Sequence, residues 1–306
     1  MIVIKKKQDC CGCYACKEVC PQKCISMQAD EEGFCYPSIN LEKCIECNLC
    51  VKVCPVLNQA STQKPAHVYV AINPNADIRL ESSSGGAFSL LAEKITNENG
   101  FVFGATFDKQ WNVIHNCTSD TNELNKFRSS KYVQSSINNT FTKAEELLKN
   151  GKKVLFSGTP CQIAGLKNFL RKDYPQLYTI DFICHGVPSP LVWKTYLNET
   201  LSMYKISPNT VRNINFRDKS LGWKKFSFTL QFERRGKKKH ITEVFYRNYY
   251  IRGFLHDIYL RPSCYSCPSK GGKSNSDITI ADFWGIQHIC PELNDDKGIS
   301  LVFINS

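Results

Sequence analysis

Residues 10–21 read CCGCYACKEVCP and residues 44–55 read CIECNLCVKVCP. Cys10, Cys13, Cys16 and Cys20 before Pro21, and Cys44, Cys47, Cys50 and Cys54 before Pro55, repeat one spacing, C-x2-C-x2-C-x3-C-P. Three closely spaced thiolates from one loop can wrap one face of an iron–sulfur cubane, while the fourth, a helical turn on, reaches a second cluster. The spacing therefore predicts two [4Fe-4S] clusters with crossed ligation. One takes Cys10, Cys13, Cys16 and Cys54, and the other takes Cys44, Cys47, Cys50 and Cys20. The proline after each fourth cysteine stops the short helix that presents it. Zinc also accepts cysteine pairs at this spacing, but it needs two pairs per ion. Two triplets, each with an outlying fourth thiol, fit that need poorly. Cys11, Cys24 and Cys35 fall outside the pattern and are expected to be packed or idle.

Eleven of the 17 cysteines lie in the first 54 residues, a crowding that buried thiols acting as small hydrophobes do not explain. The opening MIVIKKKQDC has apolar residues ahead of its lysines, the reverse of a secretory signal. No other stretch nears the roughly 18 apolar residues needed to span a bilayer. The reading is a cytoplasmic protein with no membrane span, and a reducing compartment favours metal ligation over disulfides. At 306 residues, with 42% hydrophobic and 22% charged residues, two unequal globular domains are expected. The formal charge of +11 falls to about +5 if three thiolate-ligated clusters of roughly −2 each bind. The surplus at Arg234, Arg235, Lys237, Lys238 and Lys239 reads as a solvated hairpin turn, so no nucleic acid is expected as a partner. No Ser-His-Asp set, paired glycosidase carboxylates or P-loop supports a hydrolase or a kinase.

The cysteine-rich stretch is assigned to a ferredoxin-like domain over residues 1–58, and the polar run that ends before Pro65 to a linker over 59–66. From residue 67 the texture changes. HVYVAI, FVFGATF, KVLFSG and YTIDFIC read as strands. Ala87 to Asn97, CQIAGLKNFLRK and PLVWKTYLNETLSMYK read as helices. This alternation predicts an α/β fold with α+β elements: a small bacterial-type dicluster ferredoxin module followed by a larger mixed-sheet domain over 67–306. Apolar alternation between Val211 and Val244 predicts a β-hairpin. The chain ends in ISLVFINS, a strand with nothing after it, so the natural C-terminus is expected further on.

Five ordered motifs carry a family likeness: SSSGGAFSLLA at 82–92, RSSKYVQS at 128–135, GTPCQIAGL at 158–166, DFICHGVPS at 181–189 and RPSCYSCPSKGGKSNSDITIADFWG at 261–285. Together they resemble the coenzyme F420 hydrogenase/dehydrogenase beta-subunit family, which implies an FAD-dependent iron–sulfur oxidoreductase. Cys161 follows a strand-to-turn GTP, Cys184 ends a strand, and Cys264 and Cys267 form a C-x2-C pair. Four thiolates from three loops at strand ends can converge on a third [4Fe-4S] cluster, which the resemblance also implies. The alternatives are that Cys161 and Cys184 are packed, or that Cys264 and Cys267 form a zinc or redox pair. Cys117 and Cys290 stand alone and are read as core residues.

The Gly-rich turns SSSGG and SGTP place backbone amides ahead of helices, where a diphosphate can meet a positive helix end. Such turns are often mere caps, and it is the likeness that makes Ser84, Gly85, Gly86, Ser157, Gly158 and Thr159 candidates for FAD. Lys131 suits the flavin's pyrimidine edge or a phosphate, the alternative being a surface lysine. His185, directly after Cys184, is the catalytic candidate, as a donor to a cluster sulfur or a proton shuttle, against the reading of a satisfied structural donor. Asp282 and Trp284 are expected to close the cluster loop.

A flavin exchanges two electrons with an organic hydride carrier and one at a time with clusters. The expected partners are therefore a small organic hydride carrier or substrate, F420-like, and a redox partner protein or ferredoxin, with electron flow in either direction. The alternative is a non-catalytic ferredoxin-type electron-carrier subunit of a larger redox complex, with clusters but no flavin.

Overall fold

In the computed structural model, which describes residues 1–306, the first cysteine motif runs into α1 (Ala15–Glu18). A hairpin of β1 (Ile25–Ala29) and β2 (Cys35–Ile39) follows, and the second motif runs into α2 (Leu49–Lys52). The sequence repeat extends to the backbone. Gly12 and Glu46, at matching positions of the two motifs, both have positive φ, as do Tyr14 and Asn48 two residues on. Glycine and asparagine take up this left-handed conformation readily while Glu46 and Tyr14 resist it, so the same turn is held in both loops whatever residue occupies it.

Residues 59–66 form no helix or strand, but they are tied down rather than free. Gln63 N–H donates to Gly272 O (2.8 Å) and Ala66 N–H to Ile304 O (2.8 Å).

Beyond them come β3 (His67–Ala71), α3 (Ala76–Glu81), α4 (Ala87–Asn97), β4 (Phe101–Phe107), β5 (Val113–Thr118), α5 (Thr140–Lys149) and β6 (Val154–Ser157). Then follow α6 (Pro160–Leu170), β7 (Leu177–Phe182), α7 (Pro190–Met203), β8 (Val211–Asp218), β9 (Ser227–Arg234), β10 (Lys237–Val244), α8 (Tyr249–Leu255), β11 (Ile278–Asp282) and β12 (Ser300–Ile304). One seven-stranded sheet has the order β3-β12-β11-β7-β6-β4-β5. Its centre, β11-β7-β6-β4, is parallel, and both flanks are antiparallel. Val154, Leu155 and Phe156 of β6 are wholly buried, the continuous apolar run that a parallel strand covered on both faces requires. β12, the strand read from ISLVFINS, is interior: it pairs with β11 on one side and β3 on the other.

The hairpin expected between Val211 and Val244 is present as β9–β10, and β8 adds a third strand. This second sheet buries Phe228, Leu230 and Phe232 against Trp193, Phe216 and Tyr250. The cysteine module shares a core with the larger domain. Cys11, Cys13, Tyr14, Ala15 and Val53 pack in one cluster with Phe103, Phe141, Phe156, Ile163 and Leu166.

Two helix starts face the same space. α6 begins on a capping box, with Thr159 and Gln162 exchanging hydrogen bonds and Pro160 in the first turn. α4 begins at Gly86, whose φ of 85° suits glycine. Both open at the carboxyl ends of the parallel strands, where open α/β sheets place their ligand crevices.

Candidate functional site

Cys20, Cys44, Cys47 and Cys50 line one small concavity, as the crossed pattern requires, with Ile25, Ile39 and Leu49 among its walls. Cys24 lines it too, with its Sγ 3.3 Å from Cys20 Sγ, and Ile2 N–H donates to Cys50 Sγ (3.3 Å). Cys47 is exposed, which places this concavity at the outer surface.

Cys10, Cys13, Cys16 and Cys54 form the neighbouring set. Burial, together with the negative fields of Cys10, Cys54 and Cys50, pushes the Cys16 thiol up to about 12. Burial and the field of Cys10 also raise Cys54. Thiols crowded this way resist ionising alone, and a cationic iron core beside them removes that resistance. The donor chemistry fits the clusters implied by the spacing.

The third set meets at Cys267, which touches Cys161 and whose field acts on Cys184 and Cys264. Cys161 sits in the first turn of α6, Cys184 follows β7, and Cys264 and Cys267 lie in and just after the short turn Pro262–Ser266. The Cys161 thiol is in contact with Cys11 and Cys267; the contact with Cys11, with burial, drives its pKa well up against the opposing contact with Cys267. Burial and the fields of Cys264 and Cys267 push Cys184 up to about 12. Val187 N–H donates to Cys264 Sγ (3.4 Å), and Thr159 Oγ1 lies 3.2 Å from Cys161 Sγ. Lys270, inside the 261–285 motif but given no role there, donates to His185 O (2.8 Å) and Cys264 O (3.1 Å) and brings a cation to this loop. Cys11 is buried, as expected of an unassigned thiol, yet it lies between Cys13 of one set and Cys161 of the other.

Beside the third set opens a cavity of about 420 Å3, within the range of small-molecule sites. Ser84, Gly86, Lys131, Ser157, Gly158, Thr159 and His185 all line it. Gly85 does not: a Cβ there would stand 2.4 Å from Ala71 O, and its N–H donates to Ser300 Oγ (3.0 Å). Its role is to let the turn approach β3 and β12. The amides expected to be open at SGTP are also spent, Gly158 N–H on Ile180 O (3.0 Å) and Thr159 N–H on Gln162 Oε1 (2.9 Å). Lys131 is no surface lysine. Its Nζ donates to the carbonyls of Lys126, Arg128 and Ser129, and burial pushes its pKa down to about 7.

The ring of His185 is tied at Nε2. Its Nε2 lies 2.6 Å from Asp257 Oδ1 and 3.3 Å from Phe254 O. Asp282 and Trp284, expected at the cluster loop, stand on the cavity wall. Asp282 accepts from Arg217 (3.0 Å), and Trp284 stacks on Trp223 with ring centroids 4.2 Å apart and 5° between planes. His115, which no motif marks, also lines the cavity. It is buried, its Nε2 is 3.0 Å from Ser157 O, and its Nδ1 has no partner. No helix is long and apolar enough to cross a membrane.

A family model for the C-terminal part of the coenzyme F420 hydrogenase/dehydrogenase beta subunit matches residues 151–306, and a 4Fe-4S dicluster domain matches residues 9–58. NADH-quinone oxidoreductase subunit I 2 of Geobacter metallireducens is 42% identical over 59 residues, covering 18% of this chain and 45% of that protein. Coenzyme F420-dependent sulfite reductase of Methanocaldococcus jannaschii is 27% identical over 193 residues, covering 61% of this chain and 29% of that protein. The chain thus spans less than half the length of either curated relative. A chain in the F420-reducing [NiFe] hydrogenase complex from Methanosarcina barkeri superimposes with a TM-score of 0.52 at 17% identity, covering 80% of this chain and 76% of that one, a likeness of fold. The chain belongs to the coenzyme F420 hydrogenase/dehydrogenase beta-subunit family and carries a 4Fe-4S dicluster domain near its N-terminus.

Proposed function

We propose that the chain carries electrons between an organic two-electron reactant held in the cavity and one-electron iron–sulfur centres, which hand them on to or take them from a redox partner protein. Cys10, Cys13, Cys16 and Cys54 hold one [4Fe-4S] cluster, Cys20, Cys44, Cys47 and Cys50 a second, and Cys161, Cys184, Cys264 and Cys267 a third. One observation carries this reading: the thiols are grouped in neighbouring clusters between the cavity and the outer surface. Cys161 and Cys184 are flanked by the cavity residues Thr159 and His185. Cys161 packs against the core cluster that holds Cys11 and Cys13, and Cys16, Cys50 and Cys54 pack in a second cluster with Cys20 and Cys44 against it.

FAD is the group assigned to the cavity, and when bound it supplies the exchange between two-electron and one-electron chemistry. The helix starts at Gly86 and Thr159 offer positive potential for its diphosphate, Trp284 offers a ring face, and Nδ1 of His115 offers an unused polar atom. His185 holds a proton at Nε2 against Asp257, which leaves Nδ1 to exchange a proton with the reactant. An F420-like hydride carrier is the reactant class suggested by the relatives. The spent amides of Gly158 and Thr159 favour the second reading, an electron carrier without flavin.

The two readings separate on the protein purified without oxygen, with iron, acid-labile sulfide and released flavin measured in one sample. About twelve irons per chain and one FAD are expected, and about eight irons without flavin would leave the carrier reading. Bleaching of the flavin on anaerobic mixing with reduced F420 then identifies the hydride donor.

A further inference from the structure

Arg261 is the most completely buried charged side chain in the protein, fully shielded from solvent, and it makes no ion pair. Its guanidinium reaches into the first cysteine loop. Nε donates to Cys10 O (2.8 Å), one terminal nitrogen to Cys35 O (3.0 Å) and the other to Gln134 Oε1 (2.8 Å). Gln134 in turn donates to Cys11 O (3.1 Å). The rings of Tyr36 and Phe34 lie 4.3 and 5.4 Å from the guanidinium carbon. The fit depends on Gly12, where a Cβ would stand 2.8 Å from the same guanidinium. The main chain of Arg261 belongs to the other cysteine loop: its N–H donates to Val187 O (2.9 Å), and its carbonyl accepts from Cys264 N–H (2.8 Å).

Carbonyl dipoles solvate a buried cation without neutralising it, and an isolated buried charge is unfavourable. The neutralising charge has to come from nearby anions.

We propose that Arg261 is a positioning residue that clamps the Cys264–Cys267 loop onto the Cys10 loop and, as the fixed cation beside it, raises the reduction potential of the cluster seated there. This rests on the reading that Cys10, Cys13, Cys16 and Cys54 hold a [4Fe-4S] cluster. When such a centre takes one electron from an added reductant, its charge with four thiolates goes from roughly −2 to roughly −3, with no bond made or broken. A cation held in a site that excludes water favours the more negative state.

The test is an EPR-monitored redox titration of the anaerobically purified protein, with iron per chain measured on the same samples. Arg261→Met is expected to lower the potential of one centre so that its reduced-to-oxidised ratio at fixed poise falls about tenfold, equivalent to about 59 mV for one electron. Arg261→Lys, which keeps the charge but not the fork, is expected to stay near wild type in potential. Gln134→Glu sets a carboxylate against the intact guanidinium and is expected to move the potential the same way as Arg261→Met, so it decides the matter if the methionine variant does not fold. Unmoved potentials in Arg261→Met and Gln134→Glu at wild-type iron content would overturn the proposal. A wild-type protein lacking the Cys10-loop cluster would instead overturn the reading beneath it.

Discussion

Gly165, in the middle of α6, lies against Cys13 so closely that a methyl group added to it would stand 2.9 Å from Cys13 Cβ and 3.0 Å from Cys13 Sγ. The helix that carries Cys161 at its start is thereby the surface on which the first cysteine loop rests. Gly165→Ala forces the helix and the loop apart, and overpacking of this kind costs about 1–3 kcal/mol. The expected outcome is a protein that loses iron from the Cys10 set first. EPR of the reduced protein checks it, because the signal from the outer concavity at Cys20, Cys44, Cys47 and Cys50 should persist. Equal loss from both centres would mean that Gly165 supports the whole fold rather than this contact.

His115 gives the stability a pH dependence whose sign follows from burial. Its pKa is pushed down to about 4 by burial, against an ordinary value of 6.5. Between these values the unfolded chain binds a proton that the native protein does not. The contribution is therefore complete above about pH 6.5, declines as the pH falls, and is lost near pH 4, a change of about 3 kcal/mol. His115→Phe keeps a ring where His115 stacks on Phe156 at 5.6 Å and removes the titration. Urea midpoints measured from pH 7 down to pH 4 should fall less steeply in the variant. Parallel slopes would assign the acid sensitivity to other groups.

The two cysteine triplets were readable because ligand spacing within a loop is a local property, set by the few residues between one thiol and the next. Strands β3, β4, β6 and β7 and helices α4, α6 and α7 were legible through apolar periodicity, whereas α3, β5 and α5 were not read. What lay beyond reading were pairings across the fold. Asp257 as the partner of His185, Arg217 behind Asp282 and Trp284, and Arg261 between two loops are each set by tertiary packing, and none has a spacing that announces it. Gly85, Gly158 and Thr159 show the converse. Their turn chemistry was readable, but whether an amide is free depends on which acceptor the folded chain brings to it, here Ser300, Ile180 and Gln162. Even the place of β12 inside the sheet follows from partners far back in the chain.

Trp284 is half exposed on the cavity wall and is backed by Trp223, which is buried. Arg217 lies 5.5 Å from the Trp284 ring and 4.1 Å from Phe226. A ring held flat from behind is a rigid shelf for a planar ligand, and an aromatic pair contributes about 0.5–1.5 kcal/mol beyond its buried area. On the proposed assignment of FAD to the cavity, Trp284→Ala is expected to weaken binding of added FAD by up to about tenfold, while leaving iron per chain unchanged. Flavin fluorescence titration reads the affinity. Unchanged affinity would place the planar ligand elsewhere in the cavity.

Crossed ligation makes a prediction that sequence proximity would reverse. Cys20 belongs by position to the first motif, yet it lines the concavity built by Cys44, Cys47 and Cys50. Cys54 belongs to the second motif, yet its field acts on Cys13 and Cys16 of the first. Cys20→Ala should therefore cost the outer cluster and spare the one on Cys10, Cys13 and Cys16, and Cys54→Ala should do the opposite. The two centres are distinguishable by exposure, since Cys47 is open to solvent and the Cys16 and Cys54 thiols are buried. Brief anaerobic treatment with an iron chelator should strip the outer cluster first from wild type. It should remove little further iron from Cys20→Ala. In Cys54→Ala it should remove the outer cluster at the wild-type rate, whereas linear ligation would give the two variants each other's behaviour.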